Sequence, residues 1–242
     1  MPVGFAMLIS GLVGFALIVS PQAATSMITA ELFDTFSSYN LTVIPLFVLM
    51  GQVAFHAGIS TRLFKTAYTW IGHFPGGLAM ATIGACAGFG AISGSGPATA
   101  ATMASVALPE MKRYHYSDEL ASGAVASGGS LGMLIPPSVV FIVYALMTEQ
   151  SIGALFLAGV VPGIVISILF CLSILVRCIR NPTLGPAGPK ATWKERFKSL
   201  NGVMETLILF FFVMGGMFRG LFTPIEAAAV GAGGSLLIAA VK

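Results

Sequence analysis

Long apolar runs alternate with short polar ones along the chain. The apolar runs cover residues 2–20, 41–58, 76–109, 117–148, 152–177, 202–221 and 224–241. An unbroken run that supplies about 20 helical residues can cross the roughly 30 Å hydrocarbon core of a bilayer. Two of the runs are interrupted. Residues 88–102 place Gly88, Gly90, Gly94 and Gly96 among Ser93, Ser95, Thr99, Thr102 and Pro97. Glycine permits backbone that other residues resist, proline suits the first turn of a helix, and hydroxyls satisfy freed backbone groups, so the pattern predicts helix, break, helix. A second break is predicted at 128–138, where Pro136 and Pro137 remove two amide donors and disfavour helix at the residue before them. Non-helical backbone at membrane depth is tolerated only inside protein or along a polar cavity, and paired broken segments point to a transporter's binding site.

The run 76–109 could form one long tilted span, or two half-length helices that enter and leave on one side. The basic residues favour the second. With a re-entrant hairpin there, Arg62, Lys65, Lys112, Arg113, Arg177, Arg180, Lys190, Lys194, Arg196 and Lys198 share a side, and only Arg219 does not. By the positive-inside rule that side is the cytoplasm. The opposite loops, 21–40 and 147–151, carry Glu31, Asp34 and Glu149 and no Lys or Arg. Residues 59–74 and 190–200 set apolar and aromatic positions at helical spacing beside basic ones, with Trp70 and Trp193 as interface anchors, so both are expected to lie in the plane of the membrane surface. The charge in the second of these has a plainer account as ordinary positive-inside residues.

Composition agrees with this topology. The chain is 56% hydrophobic, 9% charged and holds 29 glycines, which excludes a soluble domain. A net charge of +3 confined to loops between spans gives no reason to expect nucleic acid. Cys86, Cys171 and Cys178 lack metal-ligand spacing and are read as reduced and structural. Without a basic region at its start, the first apolar run reads as a retained span rather than a signal peptide.

No carboxylate, histidine or lysine falls near the middle of a predicted span, so the interior offers oxygen rather than charge. Its ligands are carbonyls freed at the two breaks and the hydroxyls of Ser93, Ser95, Thr99, Thr102, Ser127, Ser130 and Ser138. A hard monovalent cation such as Na⁺ suits a neutral oxygen cage, and the half-helix starts near Pro97 and Pro137 favour an anionic group. Together these describe a sodium-coupled anion carrier. Small residues in membrane helices also serve close packing, which is the plainer account of Gly84-x-x-x-Gly88, Gly90-x-x-x-Gly94 and Gly216-x-x-x-Gly220. An enzyme is not expected, since the chain has no nucleophile elbow, P-loop or HExxH pair.

The stretches FGAISGSGPATAATMASVALPEM at 89–111, GGSLGMLIPPSVVFIVYA at 128–145, SIGALFLAGVVPGI at 151–164 and FTPIEAAAV at 222–230 resemble the large membrane subunit, DctM type, of tripartite ATP-independent periplasmic (TRAP) transporters. The resemblance covers essentially the whole chain. It implies an all-α polytopic inner-membrane protein, an elevator-type secondary transporter built from inverted repeats that imports organic acids such as C4-dicarboxylates or sialic acid with Na⁺. It also implies two protein partners, a small four-helix membrane subunit and a periplasmic substrate-binding protein.

On that resemblance, residues 1–75 hold scaffold-like helices and an interfacial arm. Residues 76–148 are the transport core, with a re-entrant hairpin at 76–109 and a discontinuous helix at 117–148. Residues 149–201 are a long helix with a basic cytoplasmic loop and arm, and 202–242 open a second repeat. Sodium ligation falls to Ser93, Gly94, Ser95, Gly96, Gly132 and Pro136, and substrate contact to Thr99 and Ser130. Family members are longer, so the chain is expected to be a truncated version holding half of a transport site. The reading set against it is a non-transporting scaffold or assembly subunit, or an inactive fragment.

Overall fold

The computed structural model describes residues 3–241. Among the described residues every regular element is helical, and two compact units meet between Thr42 and Val43.

The first unit contains α1 (Val3–Ile18), α2 (Pro21–Ser37) and a 3-10 turn at Tyr39–Thr42. The sequence reading places a polar loop where α2 stands. The helix forms because Ser20 caps it, its hydroxyl accepting from the Ala23 amide at 3.1 Å, and Pro21 occupies the first turn. Thr25 and Thr29 return their hydroxyls to carbonyls one turn back, which removes much of the polarity that makes the segment look like a loop.

The second unit runs from α3 (Val43–His56) to α12 (Pro224–Val241). Its centre is α5 (Gly77–Ser93), α6 (Gly96–Arg113) and α7 (Asp118–Leu134). Their mutual direction follows from which glycines touch what. A Cβ on Gly128 would lie 2.7 Å from the Cys86 sulfur, one on Gly90 2.7 Å from the Gly132 Cα, and one on Gly94 2.7 Å from the Pro137 oxygen. Contacts therefore advance together along both chains, and α7 runs parallel to α5. Against α6 the order reverses, with Gly129 meeting Ala100 and Gly132 meeting Ser95 and Thr99. It follows that α5 and α6 are antiparallel, and their outer ends do meet: the Leu78 amide at the start of α5 donates to the Tyr116 hydroxyl just past α6, at 3.1 Å.

The run 76–109 forms two helices and not one long span. At 17 and 18 residues and about 1.5 Å per residue they are each about 26 Å long, and α6 continues through Pro109 to Arg113. Proline is accommodated there within the last turns before Lys112 and Arg113. The chain breaks again after α7, at residues 135–138, and resumes 41° away as α8 (Val139–Met147). The Pro136–Pro137 peptide is cis.

Beyond the break α9 (Ile152–Arg180) is a single 29-residue helix. Two short helices, α4 (Ile59–Ile71) and α10 (Trp193–Leu200), fall where amphipathic surface segments are expected. They pack on each other, the Thr66 hydroxyl donating to the Ser199 carbonyl at 2.9 Å and Trp70 meeting Phe197 edge to face. A strap between α9 and α10 closes the base of the hairpin. Gly76 donates to Gly185, Ser117 to Leu184 and Gly188 to Gly72, all at 2.9–3.0 Å. By length and composition Tyr39–His56 and Ile152–Arg180 can each cross a membrane, and α7 with α8 makes a third candidate. The other expected spans are shorter, with 16 residues in α1 and 15 in α11 (Met204–Phe218), because Ser20 with Pro21 and the left-handed Gly220 stop the chain on either side.

Candidate functional site

The two breaks predicted from glycine and proline are one place in space. The hairpin turns at Gly94, whose φ of 62° ends α5 in a left-handed cap, and at Ser95, which starts α6 with its hydroxyl on the Ala98 amide at 3.4 Å. The carbonyl of Gly94 accepts the amide of Val139, the first residue after the second break, at 3.1 Å. Gly94 is required here twice over, by its positive φ and by the Pro137 oxygen where its Cβ would be. Ser138 is fully buried, bonds Met133 through its hydroxyl and caps α8 at the Phe141 amide.

The oxygen atoms at the tip form an ordered series. Thr99 Oγ1 donates to the Ser95 carbonyl at 2.7 Å and lies 2.9 Å from Ser93 Oγ. With the Thr99 proton committed to Ser95, Ser93 is the donor in that second bond, which leaves the Ser93 lone pairs to accept, one of them from the Ser95 amide at 3.5 Å. Ser93 and Thr99 are buried and Ser95 half-buried. Gly132 completes the contact from α7, since a Cβ there would lie 2.6 Å from Thr99 Oγ1 and 2.9 Å from the Ser95 carbonyl.

Of the residues singled out in the sequence, Ser93, Gly94, Ser95, Gly96, Thr99 and Gly132 gather at this junction, and Pro136 stands in the break beside Pro137, whose oxygen meets Gly94. Thr99 sits within the oxygen series rather than on an open wall. Ser130 stands apart: it is exposed, and its hydroxyl bonds the Ser127 carbonyl in its own helix at 2.7 Å.

The parallel course of α5 and α7 has an electrostatic result. Their C-terminal ends, each carrying partial negative charge, come side by side, and the N-terminal ends of α6 and α8 begin at the same junction. A cation and an anion could thus be held close together without a charged side chain. Beside the tip opens a cleft of about 410 Å³, bounded by Ser93, Ser95, Thr102 and Ser105 on the hairpin and by Gly51 and Gln52 on α3. Gln52 was not singled out in the sequence. Its signal is slight, one amide in the apolar run of α3, next to a glycine whose Cβ would lie 2.8 Å from the Ser93 Cα.

A model of the DctM component of tripartite ATP-independent periplasmic transporters matches residues 1–242. The chain is 40% identical over 223 residues to the C4-dicarboxylate TRAP transporter large permease protein DctM of Pseudomonas aeruginosa, covering 92% of this chain and 52% of that protein. It is 35% identical over 234 residues to the sialic acid TRAP transporter large permease protein SiaM of Vibrio cholerae, covering 95% and 53%. It is 32% identical over 230 residues to the ectoine TRAP transporter large permease protein TeaC of Halomonas elongata, covering 93% and 53%. The chain spans about half the length of these curated relatives. Matched end to end, it belongs to the DctM family of TRAP transporter components, which are membrane permease subunits and not enzymes.

Proposed function

We propose that the chain supplies one half of the transport site in the large permease subunit of a sodium-coupled importer of organic acids. The observation that carries this reading is the hydrogen bond from Val139 to Gly94, which joins two helix breaks around a cluster of neutral oxygens. Sodium is cargo in this scheme, taken by oxygens at Ser93, Gly94, Ser95 and Gly96 with the backbone at Gly132 and Pro136. Thr99 aligns the serine hydroxyl beside them. The organic acid occupies the cleft in front, where its carboxylate faces the helix starts, and Ser130 is the outlying candidate for contact with it. Names of relatives range over C4-dicarboxylates, sialic acid and ectoine, so the substrate class proposed here is no narrower than small organic acids such as the first two.

In this reading α5 and α6 form a re-entrant hairpin, α7 and α8 a discontinuous membrane helix, and α11 and α12 the start of a second inverted repeat. The base of the hairpin, the strap and both amphipathic helices lie together, which supports placing all of them on the cytoplasmic side of an inner membrane. The partners are a small four-helix membrane subunit and a periplasmic substrate-binding protein. The test is labelling of Ser95→Cys by a maleimide in membranes. Sodium, but not potassium, should slow the reaction, and equal rates in both would favour the scaffold reading, in which the breaks only pack.

A further inference from the structure

Away from the hairpin tip, the two amphipathic helices and the strap enclose a second cleft of about 630 Å³. Arg62 and Lys65 reach it from α4, Lys190 from the strap and Lys198 from α10. The positions on α4 follow the helical repeat, since Arg62, Lys65 and Thr69 share one face while Leu63 and Ala67 turn the other towards Gly88 and Gly84 of the hairpin. Among the described residues one carboxylate, Glu195, borders the cleft, and it is already engaged by the amide and hydroxyl of Thr192 at 2.7 and 2.8 Å. Arg62 spends one donor on the Ala57 carbonyl, whereas its Nε is buried with no partner among the described residues. The two pairs, Arg62 with Lys65 and Lys190 with Lys198, are more than a hundred residues apart in sequence and converge where α4 packs on the strap and α10.

The same short helix carries an apolar side. Trp193 and Phe197 are 66% and 61% exposed and stack on each other at 6.3 Å, on the face of α10 opposite Glu195 and Lys198. A helix lying in the interface sinks its apolar face about 5–10 Å, and its body is about 10 Å across. The cationic cleft on the other face then stands at the level of the lipid phosphates. We propose that this cleft binds the headgroup of an acidic phospholipid, the phosphodiester lying between Arg62, Lys65, Lys190 and Lys198. The depth set by the two aromatics selects a lipid over a soluble phosphate.

Both tryptophans of the chain stand on the two helices that border this cleft, Trp70 on α4 and Trp193 on α10, so intrinsic tryptophan fluorescence reports on this pair of helices. The protein in an uncharged detergent is titrated with phosphatidylglycerol, phosphatidylcholine and inorganic phosphate. A saturable response to phosphatidylglycerol is expected, with none to the other two. Lys65→Gln/Lys198→Gln, at two exposed positions that leave the packing intact, should weaken it about 30-fold, from about 1 kcal/mol per lysine near an anionic surface. Lys112→Gln/Lys194→Gln removes the same charge outside the cleft and should change it less than threefold. Equal responses to the two lipids, equal loss in both double variants, or saturation by inorganic phosphate would each overturn the proposal.

Discussion

Removing the Tyr116 hydroxyl should loosen the base of the hairpin. Helix α5 begins at Gly76, whose φ of 72° fixes the turn but which has no side chain to cap the first amides. Tyr116, 38 residues further on, does this instead: its oxygen accepts from the Leu78 amide at 3.1 Å while its proton goes to the Pro186 carbonyl at 2.8 Å. In Tyr116→Phe the exposed Pro186 carbonyl regains water, whereas Leu78 is 1% exposed and its amide does not. A buried donor left unpaired costs about 1–3 kcal/mol. Taking about 2 kcal/mol, amide exchange over residues 77–80 should quicken about 30-fold and the melting temperature fall by about 4–8 °C. The control is Tyr114→Phe, an exposed neighbour, expected to stay within about 0.5 kcal/mol. Burial also pushes the Tyr116 phenol up to about 12. An unfolded tyrosine ionises near pH 10, so between those values the unfolded state holds fewer protons and stability falls as pH rises, a loss that Tyr116→Phe should lack. Unchanged exchange at Leu78 together with a melting shift under about 1 °C would refute the remote cap.

Two further outcomes follow from the same geometry. Gly132→Ala forces a methyl onto Thr99 Oγ1 and the Ser95 carbonyl, so it should cost about 1–3 kcal/mol in thermal unfolding and abolish sodium protection of Ser95→Cys, while Gly123→Ala, with open space around it, should do neither. Thr192→Ala removes the hydroxyl half of the capping box that starts α10, leaving the backbone amide of residue 192 on the Glu195 carboxylate, and should speed amide exchange over 193–200. The amide and hydroxyl of Thr192 hold the Glu195 carboxyl below the usual range, so the carboxylate's contribution is present above the ordinary glutamate pKa and is lost as pH falls through the lowered one, where the gap between wild type and variant should narrow to what the hydroxyl gives by accepting from the Glu195 amide.

What the sequence reveals and what it hides divide along physical lines. Breaks are legible because Gly94, Pro97, Pro136 and Pro137 act on their own backbone. The amphipathic helices are legible because burial repeats at helical spacing. The union of the two breaks is not, since it rests on a Val139 to Gly94 bond across 45 residues and on close approach at Gly90, Gly129 and Gly132, where the signal is the lack of a side chain. The same glycines fit plain helix packing, and here packing and site are one contact. Helix α2 reads as a loop because its polar residues mask the Ser20–Pro21 start signal. Tyr116 is invisible because its partners at Leu78 and Pro186 are backbone atoms.

The wall of the hairpin-tip cleft bears on coupling through what it lacks: among the described residues lining it there are hydroxyls, one amide and apolar groups, and no charged side chain. Bringing a carboxylate out of water into such a wall costs several kcal/mol. The start of α6, which borders the cleft at Ser95 and Ala98, returns about 0.3–1 kcal/mol, up to about 2 in favourable geometry. A monovalent cation about 4 Å away contributes about 4 kcal/mol at an effective dielectric of 20. On the proposed reading the anion is therefore held well only when the ion is present, and by reciprocity it tightens the ion by the same factor. A lysine in that wall would have held the anion unaided and dissolved the linkage, so the neutrality of the oxygens at Ser93, Ser95 and Thr99 is what would make substrate and sodium travel together.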